Sequence, residues 1–165
     1  MVHDGAFGVT FDRPASWDVW RPNDHSPITS GPLVYVSTDP LLPACAVAPS
    51  ASPNPPDANG SACTWPLDEL SPGGVLATWM NSRILQPLPS TGPVVETNGA
   101  EARWEVTKPG ECSAVGGDET ITVAVPIGQP SPLTNVIFLG CLRGPDLAES
   151  EAAVRAMVES TQVTP

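Results

Sequence analysis

The chain has 165 residues, 41% of them hydrophobic, which suits one domain with a genuine core. Its 7 Lys and Arg against 18 Asp and Glu give a formal charge of -11, which repels phosphate backbones and anionic lipid and argues against nucleic-acid binding. The 21 prolines and 14 glycines cut the chain into short elements and exclude long helices.

Phe7, Val9 and Phe11 repeat at the two-residue period of a strand with one buried face. Pro14 ends that strand because it has no N–H for a ladder, and Trp17 follows as an apolar anchor folding back over the sheet. His3 and Asp4 read as a free terminus. Residues 18–22 form a short extended piece cut by Pro22, and Leu33, Val34, Tyr35, Val36 and Ser37 form a strand. Between 39 and 62, prolines at 40, 43, 49, 53, 55 and 56 leave no helix or central strand, so this stretch is a long surface flap. Residues 70–74 are a turn cluster. Val75 to Trp79 reads as a strand, with a helix through Arg83 as the competing reading.

Val94 to Thr97 and Glu101 to Val106 flank Asn98–Gly99, the pair favoured in a type I′ turn, with Ala102, Trp104 and Val106 facing inward. Ile121, Val123, Val125 and Ile127 repeat the alternation, and residues 136–142, apolar on both faces, belong to a central strand. The last element is a helix with Asp146 as N-cap, Glu149 closing a capping box, and Leu147, Val154, Met157 and Val158 as its apolar stripe. Glu151 and Arg155 stand at i,i+4 along it. This order lacks βαβ alternation and points to an antiparallel α+β sandwich, with residues 1–165 as a single domain.

Cys45, Cys63, Cys112 and Cys141 lack zinc-site spacing and have only two histidines to help them, so two disulfides and an oxidising compartment are expected. Four cysteines allow three connectivities. The local pairs Cys45–Cys63, closing the flap at its base, and Cys112–Cys141, tying a loop to a strand, are favoured, each contributing roughly 3–4 kcal/mol. Met1 to Asp4 has neither the basic nor the apolar region of a signal peptide, so secretion would need a leader upstream of Met1. Membrane anchoring would need a lipid carried by that leader, because no apolar run approaches the ~18–20 residues of a span.

The opening FGVTFDRPASW at 7–17 resembles the strand–Pro–x–x–Trp start of PsbP-like domains, the fold shared by extrinsic photosystem II proteins and Ran-binding Mog-type proteins. Residues 140–146 with the helix after them, and residues 72–79, resemble actinobacterial secreted or lipoprotein members. The matching motifs are scattered over nearly the whole chain. The resemblance implies an antiparallel sheet packed between helices, an α-β-α sandwich, and an adaptor or accessory role rather than catalysis. The Pro-rich flap and the short N-terminal region depart from the pattern, so no partner-binding residue, photosystem role or Ran role carries over.

Asp24, His25 and Ser26 are triad residue types, but sequence neighbours cannot face one another as nucleophile, base and orienter, and no nucleophile elbow accompanies them. Residues 57–61 lack the closing Glu of a calcium loop and read as a turn, as does the Asn59-Gly60-Ser61 sequon. Gly116, Gly117, Asp118 and Glu119 form an acidic turn with no pocket to make them an acid–base pair. No catalytic residue, metal ligand or cofactor is assigned. Trp17, Trp79 and Trp104 are expected in the core, whereas Trp20 and Trp65, beside prolines, are candidate partner contacts.

The expectation is a secreted or cell-envelope binding or accessory domain for a protein or small ligand. Two readings compete with it. One is a hydrolase using an unrecognised carboxylate or Ser–His site, for which His25→Ala would abolish activity; the other is an inhibitor or immunity-type protein of a basic enzyme, supported by the charge of -11.

Overall fold

Alternating burial builds most of the architecture. The computed structural model describes residues 1–6, 8–22, 31–42, 65–82, 88–127 and 135–164. Its strands are β1 (Val2–Ala6), β2 (Val9–Arg13), β3 (Asp18–Trp20), β4 (Gly31–Ser37), β5 (Val75–Ser82), β6 (Val94–Thr97), β7 (Ala100–Arg103), β8 (Glu105–Thr107), β9 (Glu119–Val125), β10 (Asn135–Leu142) and β11 (Gln162–Val163). A short 3-10 helix spans Gly110–Val115, and the α-helix α1 spans Leu147–Glu159. The strands form a six-stranded sheet in the order β3-β4-β5-β10-β9-β8, a three-stranded sheet β1-β2-β11, and the hairpin β6-β7. Every pairing is antiparallel.

The inner face of the large sheet carries Val34, Val36, Val75, Ala77, Trp79, Ile121, Val123, Phe138 and Leu142, packed with Val9 and Phe11 of β2 and Val154, Met157 and Val158 of α1. Phe11 stacks on Trp79 with ring centroids 3.8 Å apart, and Phe138 meets Trp79 edge-on at 5.1 Å. Full burial of each Phe stabilises the fold by about 1.5–3 kcal/mol. Gly140 lets the helix approach closely: a Cβ there would lie 3.3 Å from Val154 Cγ1 and 3.2 Å from the Phe138 ring.

The expected α+β sandwich, a sheet packed by helices, is replaced by a β-rich fold. Among the described residues there is one α-helix, and it shares its layer with the small sheet and the β6-β7 hairpin. The opposite face is covered by the 3-10 helix and residues 65–70 instead. The physical reason is local: residues 147–159 carry the apolar stripe of period 3.6 residues, and among the described residues no other segment forms an α-helix.

The predicted strand 101–106 breaks at Trp104, whose N–H donates to Pro93 O at 2.9 Å. Residues before the break stay in the hairpin, and β8 joins the large sheet beside β9. Trp104 is buried, but Val106 lies on the edge strand and remains 38% exposed. Val75 to Ser82 is a strand, not the competing helix. Asp146 is the N-cap of α1 but makes no side-chain cap bond; its backbone (φ -94°, ψ 49°) is not the extended conformation that aims a cap carboxylate at the first-turn amides. Arg155 lies 4.4 Å over the Trp104 ring, and among the described residues no ion pair joins it to Glu151.

His3 and Asp4 belong to β1 rather than to a free terminus. Asp4 accepts from Arg13 Nε at 2.8 Å and from Arg21 Nη2, while Arg13 Nη1 donates to the carbonyls of Pro14 at 3.1 Å and Trp17 at 2.9 Å. These bonds fix the corner after β2, where Pro14 ends the strand as expected and Trp17 packs, half-buried, against the inner core. Phe7 lies outside the described residues.

Candidate functional site

Side chains of β5 alternate, so Leu76, Thr78 and Met80 face away from the inner core, as do Leu139 and Cys141 of β10. Leu76, Leu139 and Cys141 form a second apolar cluster with Tyr35, Leu67, Leu70, Cys112 and Val115, and Trp20, Leu41, Trp65 and Met80 pack half-buried around it. Trp20 is the cross-strand neighbour of Tyr35, and their rings stack at 5.6 Å with planes 17° apart. Burial pushes the Tyr35 hydroxyl up to about 12. Trp20 and Trp65, chosen in the sequence as candidate contacts, therefore sit on one cluster, each half-buried.

The ends of the Pro-rich stretch meet here as well. Leu42 N donates to Pro66 O at 2.8 Å, and Leu41 N donates to Asp18 Oδ2 at 2.8 Å. Leu42 and Trp65, the residues on either side of the interval 43–64 that lies outside the described residues, thus stand beside the same face. Cys45 and Cys63 fall within that interval and their pairing lies outside the described residues. Leu42 is 51% exposed at this junction.

The other end of the cluster is closed covalently. Cys112 and Cys141 form a disulfide that ties the 3-10 helix to the central strand β10, with both residues fully buried. Around it, Leu70 N donates to Val115 O at 2.9 Å, and Arg143 Nη1 donates to Glu69 Oε1 at 2.6 Å and to Leu70 O. Sequence reasoning missed the 3-10 helix and this Arg143 clasp; the cluster of prolines and glycines at 109, 110, 116 and 117 was the available signal.

The acidic turn is engaged structurally. Asp118 Oδ2 accepts from Gly144 N at 2.8 Å, and the buried Glu119 pairs with Lys108 at 2.6 Å, which raises the Lys108 pKa through that hydrogen bond. His3 Nδ1 lies 3.1 Å from Asp12 on the exposed side of the β1-β2 hairpin. Asp24, His25, Ser26 and residues 57–61 lie outside the described residues. Among the described residues, no group of three or more His, Cys, Asp or Glu could hold a metal ion, and no helix is long and apolar enough to cross a membrane. A disulfide of this kind fits an oxidising environment. No protein-family model matches the chain, and no curated protein matches it.

Proposed function

We propose that the chain is an extracytoplasmic binding or accessory domain without catalytic chemistry, secreted or held in the cell envelope, whose contact face is the second apolar cluster. One observation carries this reading. Trp20, Leu41 and Trp65 gather half-buried on a single face, where the Leu42–Pro66 hydrogen bond brings residues 42 and 66 together. Half-exposed aromatic rings on a rigid base contribute contact area at small ordering cost. The Cys112–Cys141 disulfide supports the compartment, and the accessory role is the one that the PsbP-like resemblance implies.

The test is capture from the envelope fraction of the native host by the immobilised protein. A Trp20→Ala/Trp65→Ala variant and a chain with residues 43–64 replaced by a short Gly-Ser link are compared, each with unchanged circular dichroism. A species retained by the wild type and lost from both variants is the expected result; equal retention by all three overturns the reading. The charge of -11 favours a second reading, an inhibitor of a basic enzyme. In that case capture falls steeply with added salt and is insensitive to the two Trp substitutions.

A further inference from the structure

Asn98 and Gly99 turn the chain between β6 and β7, both at positive φ, 51° and 73°, as a type I′ turn requires. Asn98 also holds elements that are remote in sequence. Its backbone N–H donates to Thr161 O at 3.0 Å, and its side-chain Oδ1 accepts from Val163 N at 2.9 Å. Its Nδ2 donates to Pro126 O. One amide group therefore clamps the hairpin to β11 and to the end of β9.

Asn followed by Gly is the dipeptide best placed for an intramolecular reaction, since glycine has no side chain to shield its backbone nitrogen. Gly99 N would bond to Asn98 Cγ while the Cγ–Nδ2 bond breaks. The displaced proton leaves with Nδ2 as ammonia, giving a five-membered succinimide. Water then opens the ring to an aspartyl or isoaspartyl linkage. The balance is one amide plus water giving one acid plus ammonia, with no oxidant or reductant.

We propose that Asn98 is a deamidation site that the fold keeps latent, and whose reaction permanently undocks the C-terminal strand. Both atoms of the amide are held, so Cγ cannot swing toward Gly99 N without breaking the bonds to Val163 and Pro126. β11 is the weakest-held partner in this lock by its ladder: it is two residues long and, among the described residues, pairs with β2 alone through Gln162–Thr10 and Val163–Val9. Its release frees Oδ1. After the reaction Nδ2 is gone. In the aspartyl product a carboxylate oxygen replaces it opposite the Pro126 carbonyl, so two acceptors face each other; in the isoaspartyl product the main chain itself runs through the former side chain. Neither product can remake the clamp.

The experiment follows conversion at position 98 by peptide mass spectrometry with isoaspartyl detection, at mildly alkaline pH, in folded and in urea-unfolded protein. Conversion is expected to be about tenfold or more slower in the folded protein, the effect of two hydrogen bonds. Val163→Pro removes the N–H that serves Asn98 and should speed folded-state conversion several-fold. Asn98→Asp, which mimics one product, should melt below the wild type. Equal rates in folded and unfolded protein overturn the latency, as does an unchanged rate in folded Val163→Pro. If that variant does not fold, the wild-type comparison decides the latency alone. A wild-type melting temperature for Asn98→Asp overturns the permanent undocking.

Discussion

Trp79 Nε1 donates to Thr161 Oγ1 at 3.2 Å, and that hydroxyl donates onward to Met157 O at 2.9 Å. The relay joins the middle of β5 to the second residue after α1, and all three residues are fully buried. Thr161→Val should therefore leave the indole N–H without a partner in an apolar setting. The expected loss is about 1–3 kcal/mol, read as a lower urea midpoint with an unchanged slope. Adding Trp79→Phe removes the orphaned donor, so the double variant should lose less than the two single losses added together.

The disulfide joins Cys112 and Cys141 across a sequence separation of 29. Replacing both by Ala should cost about 3–4 kcal/mol, most of it through the freer unfolded chain. The loss should also be uneven. Cys112 and Cys141 belong to the cluster of Tyr35, Leu70 and Val115, not to the inner core. Hydrogen exchange should show residues 110–117 and 67–74 opening first, while β2 and α1 keep their protection. Simultaneous loss across both clusters would show that they unfold as one unit.

What was legible in the sequence was local. Alternation at Val9 and Phe11 and at Ile121, Val123 and Val125, the Asn98–Gly99 turn, and the stripe Leu147, Val154, Met157 and Val158 each carry their period within a few residues. The break at Trp104 was not legible, because it depends on Pro93 O capturing an amide eleven residues further on. The Asp4–Arg13–Arg21 contacts were hidden for the same reason, their partners lying 9 and 17 residues apart. The expected helical layers came from a resemblance and had no second 3.6-residue stripe behind them. For the candidate site, proline neighbours singled out Trp20 and Trp65. That both share a cluster with Tyr35 needs the β3-β4 register and the Leu42–Pro66 bond, neither written in the local sequence.

Asp4 gives the fold an acid-sensitive corner. Partial burial pushes its carboxyl up, but the Arg13 hydrogen bond, the Gly5 N–H and the Arg21 charge outweigh burial and hold it below the usual carboxylate range. A depressed folded-state pKa means that the charged form stabilises the fold above the unfolded value, and that this contribution disappears as pH falls through the folded one. Asp4→Asn should accordingly melt below the wild type at neutral pH. The gap should close on acidification, since protonation removes the same charge from the wild type. A gap that persists at low pH would assign the loss to packing instead.

Tyr35 reports directly on the candidate face, because it is the only tyrosine in the chain. Its hydroxyl is pushed from 10.0 to about 12 by burial, so folding favours the neutral phenol. That contribution is complete below the unfolded value and is lost as pH rises through the folded one, which places alkaline destabilisation between 10.0 and about 12. Phenolate absorbance should show a single ionisation near the upper value in the folded protein and near the lower one in urea. Trp20 covers the Tyr35 ring from the edge strand at 5.6 Å, so Trp20→Ala should bring the folded-state ionisation down. An unchanged titration would mean that Tyr35 is buried by its other neighbours alone. Trp20 would then contribute little cover to the cluster and would be free to contribute its surface to a partner.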